Sequence, residues 1–419
     1  MKKLIILSFL ILVACQNIER SDPQQTTKQF PVQQYTVHEA QNIHAQIEKD
    51  KSKQFKHGRY VNLYNSEFLP HKVISRYGPI RELAYQLRQD VANYVIEKDG
   101  KHVPLHQYVK QHNMDGLIVV HKGKIVFEAY PNMRDFNKHH IFSVTKFFIG
   151  TAFAMLEERG EVRFDKLVGN YLPELKESDW GAVPIKDVLD MSSGMYEDFN
   201  KFFFEEHYWP RFKVPQGIPH ARLKPYKAKT SPGQVYEYNN TNSQVLGWII
   251  ERVTGYSAYD FIQNEIWQKM GAESDALAML SYEYVPAYIG GMSMTLRDLA
   301  RFGLLFTHFG RRAPYDLISA GLIEKIQKGG RPEVFKNTGP INLPIYEDPK
   351  KHLILGEAPR HANFQLDFVM QDGDFMKNGA TGQGLYVSPD KELVIAFYGS
   401  GFADHQIARK LAISGLFHH

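Results

Sequence analysis

Three short motifs in this chain have the residue types and spacing needed for acyl-transfer chemistry. Ser143-Val144-Thr145-Lys146 sets a serine and a lysine three residues apart. On a helix that is nearly one turn, so hydroxyl and amine share a face. A serine becomes a nucleophile only beside a base, and a desolvated lysine of lowered pKa can be that base. If the serine also opens the helix, backbone N–H groups and the positive dipole end lie where an oxyanion would develop. Tyr238-Asn239-Asn240 supplies a phenol, which beside cationic lysines loses or passes a proton more easily. Lys377-Asn378-Gly379-Ala380 supplies a second lysine, a glycine that permits close backbone approach, and the Ala380 N–H as an oxyanion donor.

Each motif also has an ordinary structural reading. Ser143 would be an N-cap with Lys146 solvated. Tyr238 would be a core tyrosine followed by helix-capping asparagines, and Lys377 an edge-strand lysine beside a turn. A second match, Ser388-Pro389-Asp390-Lys391, lies in a polar turn between two strands and is set aside. Ser143 differs because Ile141-Phe142 precede it and Phe147-Phe148-Ile149 follow the lysine, which buries the start of this helix. Burial is what the activated-lysine reading requires.

The elements that must position these residues follow from the hydrophobic pattern. Residues 117–121 and 125–130 read as strands joined by a turn around Lys122-Gly123. A helix follows from about 143 to 158, with Gly160 as its stop. From about 150 to 365 the pattern is mostly helical, with helices at 185–191, 242–253, 258–270 and 296–306. Strands return at 374–377, 385–388 and 393–398, and a last helix covers about 405–416. Pro79 opens a further helix with Ile80, Leu83, Leu87 and Val91 on one face. Strands at both ends around a helical middle predict an α+β fold: an antiparallel sheet from N- and C-terminal strands, flanked by helices and carrying an inserted, mostly helical domain. The aromatic stretch 199–226 is too apolar for a linker and reads as cover for a cleft. Specificity is expected from the loops 196–231 and 337–372.

Composition narrows the function classes. The 419 residues are 43% hydrophobic and 23% charged, which excludes collagen-like, coiled-coil and wholly disordered chains. A net charge of +4, part of it from Lys2 and Lys3, is too balanced to point to nucleic acid. A single cysteine allows no internal disulfide and no Cys-based zinc site. His38-Glu39 lacks the second histidine of a zinc-protease helix, and His139-His140 and His418-His419 are pairs without partners, so neither metal nor cofactor is expected. No G-x-S-x-G elbow occurs, which disfavours a Ser-His-Asp hydrolase.

The amino terminus reads as an address. Lys2 and Lys3 precede the apolar run 4–13, too short to cross a bilayer of roughly 30 Å as a helix. Leu12-Val13-Ala14-Cys15 resembles the lipobox of bacterial lipoproteins, which implies a signal peptide over 1–14 and lipidation of Cys15. Residues 15–55 then form a lipidated, partly disordered tether, and 56–419 the catalytic domain. The expected location is the bacterial cell envelope, anchored to the membrane on the periplasmic side. Gln16, where an aspartate would favour retention in the inner membrane, leans towards the outer membrane of a Gram-negative cell.

Taken together and in this order, the three motifs resemble the S-x-x-K, Y-x-N and K-T-G elements of the serine β-lactamase and penicillin-binding-protein superfamily. The tyrosine motif points to its class C-like and esterase-like branch. Val183-Pro184-Ile185-Lys186-Asp187-Val188-Leu189, Gly290-Gly291-Met292-Ser293 and Gly382-Gln383 carry the likeness further, over about residue 115 to the end. Three stretches look closest to the 6-aminohexanoate-oligomer hydrolases and related esterases. The resemblance implies a small-molecule amide or ester substrate and an acyl-enzyme on Ser143, with Lys146 and Tyr238 moving protons. It also implies an oxyanion site at the N–H groups of Ser143 and Ala380, and substrate contacts from Asn240, Lys377 and Gly379. Which of Lys146 and Tyr238 is the first base stays open. The chain departs from the pattern at Asn378, which stands where the family has a hydroxyl. The alternative function is a lipid-anchored penicillin-binding or sensor protein that acylates with little turnover.

Overall fold

The computed structural model describes residues 35–50, 53–98, 100–195, 227–281, 284–337, 352–401 and 404–418. Cys15, most of the expected tether and the aromatic stretch 199–226 lie outside the described residues.

The main sheet has its strands in the order Lys124–Ala129, Met114–His121, Leu393–Gly399, Gly384–Ser388, Phe375–Asn378, Phe368–Val369. Every neighbouring pair is antiparallel. The N-terminal hairpin therefore pairs with the last strand of the chain, as strands at both ends of the sequence predict. Alternation explains why both faces are buried. Ile118 and Val120 belong to one core, Leu117 and Val119 to another, and residues 393–398 divide in the same way. Side chains two apart share a face, so one continuous apolar run feeds two cores. The larger core is built with the helices Thr145–Glu158, Asn240–Thr254 and Leu296–Leu304, the smaller with Leu105–Gln111 and Ile407–Ala412. Thr145–Glu158 is buried all round from Thr145 to Leu156, so it is the central helix of its core.

The middle of the chain is not wholly helical. Ala276–Met279 and Met292–Met294 join His71–Ile74 and His139–His140 in a second antiparallel sheet. The helix expected from Pro79 does not form. Gln86 N and Arg88 N donate to the carbonyls of Ile125 and Val126 at 2.8 and 2.9 Å, and Ile125 N to that of Ala84 at 2.9 Å. This stretch runs extended along the outer strand, where covering open N–H and C=O groups outweighs helix propensity. Only Gln89–Ala92 turns helical.

The described residues of the segment 15–55 include a helix. Val37–Lys49 is a helix closed by a capping box between Thr36 and Glu39. Its Ile43 and Ile47 pack with Tyr60, Val61 and Phe68 in a small separate core.

Candidate active site

Ser143 lies on the turn Phe142–Val144, immediately ahead of the central helix. The second sheet holds that turn. Ile141 N donates to Met292 O at 3.0 Å, and Met292 N donates to Thr145 Oγ1 at 3.1 Å. Phe142 has φ +46°, a left-handed conformation that is costly for a bulky side chain. Its ring packs edge-on against His140, 4.2 Å between centroids.

Lys146, one turn along, is fully buried. It donates to Ser143 Oγ at 3.0 Å and to the Ile289 carbonyl. A main-chain acceptor has no residue-type signature, so no motif announces this carbonyl, which directly precedes Gly290-Gly291.

Tyr238 stands just outside the helix Asn240–Thr254. Asn239 is the cap, its side chain accepting from Thr241 N at 2.8 Å. The Tyr238 ring centroid is 5.3 Å from Lys146 Nζ and 4.6 Å from Lys377 Nζ. Lys377 Nζ also donates to the Tyr238 hydroxyl at 3.3 Å, and that hydroxyl is hydrogen-bonded with Ser143. Burial raises the phenol's pKa; Lys377 opposes the rise without cancelling it, so the phenol stays protonated at neutral pH.

Lys377 is fully buried on the strand Phe375–Asn378. Burial would lower its pKa, but Asp367 and then Tyr238 outweigh it and hold the ammonium above its usual range. Asp367 is the group the motifs did not announce. It pairs with Lys377 and also accepts from Asn378 N at 2.8 Å and Asn378 Nδ2 at 3.1 Å. The Asn378 Oδ1 meets His405 Nδ1 at 2.9 Å, so the amide is engaged at both ends. His405 itself is pushed down to about 4, chiefly by burial. No spacing rule links Asp367 to the lysine; only its place in the 337–372 loop marked it.

Gly379 shows why a glycine stands there. A Cβ would lie 2.6 Å from the Ile141 carbonyl, so the end of this strand is flush with the Ser143 turn. Gly379 N donates to Gln383 O at 2.9 Å and Thr381 N to Gln383 Oε1 at 3.1 Å, which pins the backbone on either side of Ala380. Ala380 is exposed, whereas Asn240 opens its helix with only 2% exposure. Lys391 of the rejected motif pairs with Asp372 and Asp374, both at 3.2 Å. Ser143, Lys146, Tyr238 and Lys377 thus converge, with Asp367 behind them. Among the described residues, no group of three or more His, Cys, Asp or Glu side chains is arranged to hold a metal ion.

Comparison with known proteins gives the family and the fold. A family model described as beta-lactamase matches residues 105–416. A 6-aminohexanoate-dimer hydrolase from Paenarthrobacter ureafaciens is 26% identical over 301 residues, covering 68% of this chain and 73% of that protein. A Bacillus anthracis structure provisionally named a 6-aminohexanoate-dimer hydrolase superposes with a TM-score of 0.71 at 22% identity, covering 85% of this chain and 92% of that one. The D-alanine carboxypeptidase AmpC from Burkholderia cenocepacia gives 0.51 at 17% identity, over 74% and 95% of the two chains. At these identities the structural likenesses establish the fold.

Proposed function

The chain belongs to the beta-lactamase family, and from that premise we propose that this serine hydrolase opens a linear amide or ester bond through an acyl-enzyme on Ser143. The observation that carries the reading is Lys146 Nζ at 3.0 Å from Ser143 Oγ, in a cluster completed by Tyr238 and Lys377.

Lys146 takes the hydroxyl proton as Ser143 Oγ attacks the carbonyl carbon. The carbonyl electrons move onto oxygen, where the N–H groups of Ser143 and Ala380 stabilise them. Tyr238, held protonated, gives its proton to the departing nitrogen or oxygen as the tetrahedral intermediate collapses, and is reprotonated from Lys146. Water then attacks the ester with the same groups acting in reverse, freeing the acid and restoring Ser143. Assigning the first deprotonation to Lys146 rests on the protonated phenol of Tyr238. Asn240 and Gly379 are the proposed substrate contacts, and Lys377 supplies positive charge to Tyr238.

A linear amide or ester is favoured over a β-lactam by two observations. The Paenarthrobacter relative is named for hydrolysis of a 6-aminohexanoate dimer. Asn378, which replaces the hydroxyl of the family motif, is occupied by Asp367 and His405. Burst kinetics with p-nitrophenyl acetate and an acyl p-nitroanilide test the reading. Sustained turnover after one equivalent supports the hydrolase; a burst that stalls favours the acylating sensor.

The same proposal includes the envelope location. Lys2 and Lys3, the apolar run 4–13 and Cys15 support a lipid anchor on the periplasmic side. Labelled palmitate should enter the wild type and not Cys15→Ser; equal labelling would refute the anchor.

A further inference from the structure

Ahead of the residues matched by the family model, the short helix Gly58–Leu63 reaches the catalytic end of the main sheet. Asn62, only 2% exposed, donates through Nδ2 to Thr381 Oγ1 at 3.1 Å. Ser400 Oγ and the Gly399 carbonyl lie 3.4 and 3.5 Å from the same nitrogen. Thr381 follows Ala380 directly. Its Oγ1 also accepts from Gln383 Nε2 at 2.8 Å, and Gln383 in turn holds the Gly399 carbonyl at 2.7 Å. Arg59, on the same helix, pairs with buried Asp115 at 2.6 Å. Asp115 is bonded to Ser400 and, at 3.1 Å, to His139, a few residues before Ser143 on the second sheet. The helix is therefore fastened by buried polar contacts to the chain on both flanks of the proposed oxyanion site.

We propose that Asn62 is a positioning residue for the reaction: its amide fixes Thr381, and through it the peptide that presents the Ala380 N–H. This rests on the acyl-enzyme reading given above. Thr381 N is already bonded to the Gln383 side chain, so within this turn Gln383 sets the main chain and Asn62 clamps the hydroxyl from outside. An oxyanion donor works only when aimed at the developing charge, so a small rotation of this turn lowers the rate without loosening substrate binding. A helix preceding the family domain would thereby tune its catalytic centre.

The test uses the full chain, with p-nitrophenyl acetate as the probe. Fluorophosphonate labelling of Ser143 in the wild type is measured first; if that fails, it is the acyl-enzyme reading that falls. With labelling established, Asn62→Leu and Thr381→Val should each lower kcat about tenfold while KM stays within about twofold, a fraction of the 10²–10³ attached to an oxyanion donor itself. The double variant should be no slower than the worse single one, and Thr381→Ser, which keeps the acceptor, should recover most of the loss. Wild-type kcat in Asn62→Leu, fully additive losses, or Thr381→Ser as slow as Thr381→Val would overturn the proposal. If Asn62→Leu does not fold, Asn62→Ala carries the same prediction: a kcat about tenfold lower with KM within about twofold supports the proposal, and a wild-type kcat overturns it.

Discussion

Lys377 and Asp367 form an ion pair whose side chains are 0% and 3% exposed, and the Tyr238 hydroxyl lies 3.3 Å from the same ammonium. A buried charge keeps its state only while its partner stays, so Asp367 governs the charge that faces Tyr238. In a family motif known for its lysine, the carboxylate behind it is what holds that lysine charged here.

Replacing Asp367 with asparagine should show this. The folded-state pKa of Lys377 is raised, so its contribution to stability is complete below the unfolded lysine value and is lost as pH rises through the folded one. In Asp367→Asn the ammonium is left unpaired. Unfolding free energy should drop by about 3–5 kcal/mol in urea titrations. The alkaline limb of kcat/KM should also move down by about one pH unit or more. An unmoved limb would mean that Lys377 takes no part in the reaction.

Lys146 should tolerate neither arginine nor methionine. A guanidinium keeps the positive charge and cannot surrender it, so it cannot serve as a base. Both Lys146→Arg and Lys146→Met should lose about 10²–10⁴ in kcat/KM on p-nitrophenyl acetate. Substantial activity in Lys146→Arg would reduce the residue's role to a fixed charge.

Gly150 sits on the central helix behind Ser143, where a Cβ would stand 2.2 Å from the Phe364 carbonyl. Phe364 and Gln365 both have positive φ and lead into Asp367, so that backbone has little room to yield. Gly150→Ala should therefore destabilise the fold by about 1–3 kcal/mol and depress kcat as well. Thermal unfolding together with steady-state kinetics reads both; unchanged stability would show that the loop gives way freely.

His405 makes stability sensitive to mild acid. Its folded pKa is about 4, mainly through burial, against an unfolded value of about 6.5. The unfolded chain binds the proton first, so stability is full above about pH 6.5 and falls as pH drops towards 4. The loss should reach about 3 kcal/mol. Urea unfolding at pH 7, 5.5 and 4 should show a shallower decline for His405→Gln than for the wild type. Parallel declines would assign the acid sensitivity to other groups.

What the sequence disclosed and what it withheld divide along physical lines. Ser143 and Lys146 were legible because helix geometry converts three residues of spacing into a shared face, and Phe147 and Phe148 announced burial. The strands 117–121 and 393–398 were legible because their apolar runs are unbroken. Asp367, the Ile289 carbonyl and Asn62 were not, since each meets its partner only through tertiary folding, across ten, 143 and 319 positions respectively. Pro79 misled because the helical spacing of Leu83 and Leu87 says nothing of the open strand edge at Ile125, which that segment covers. Thr36 and Glu39 did carry a capping signature, hidden within a polar stretch that read as tether.

The most direct measurement is covalent. The protein is treated with a fluorophosphonate, its intact mass is read and the labelled peptide mapped. The account predicts one adduct on Ser143, absent from Ser143→Ala and strongly slowed in Lys146→Met. A folded protein that takes no label at Ser143, or that labels equally well as Ser143→Ala, would contradict it.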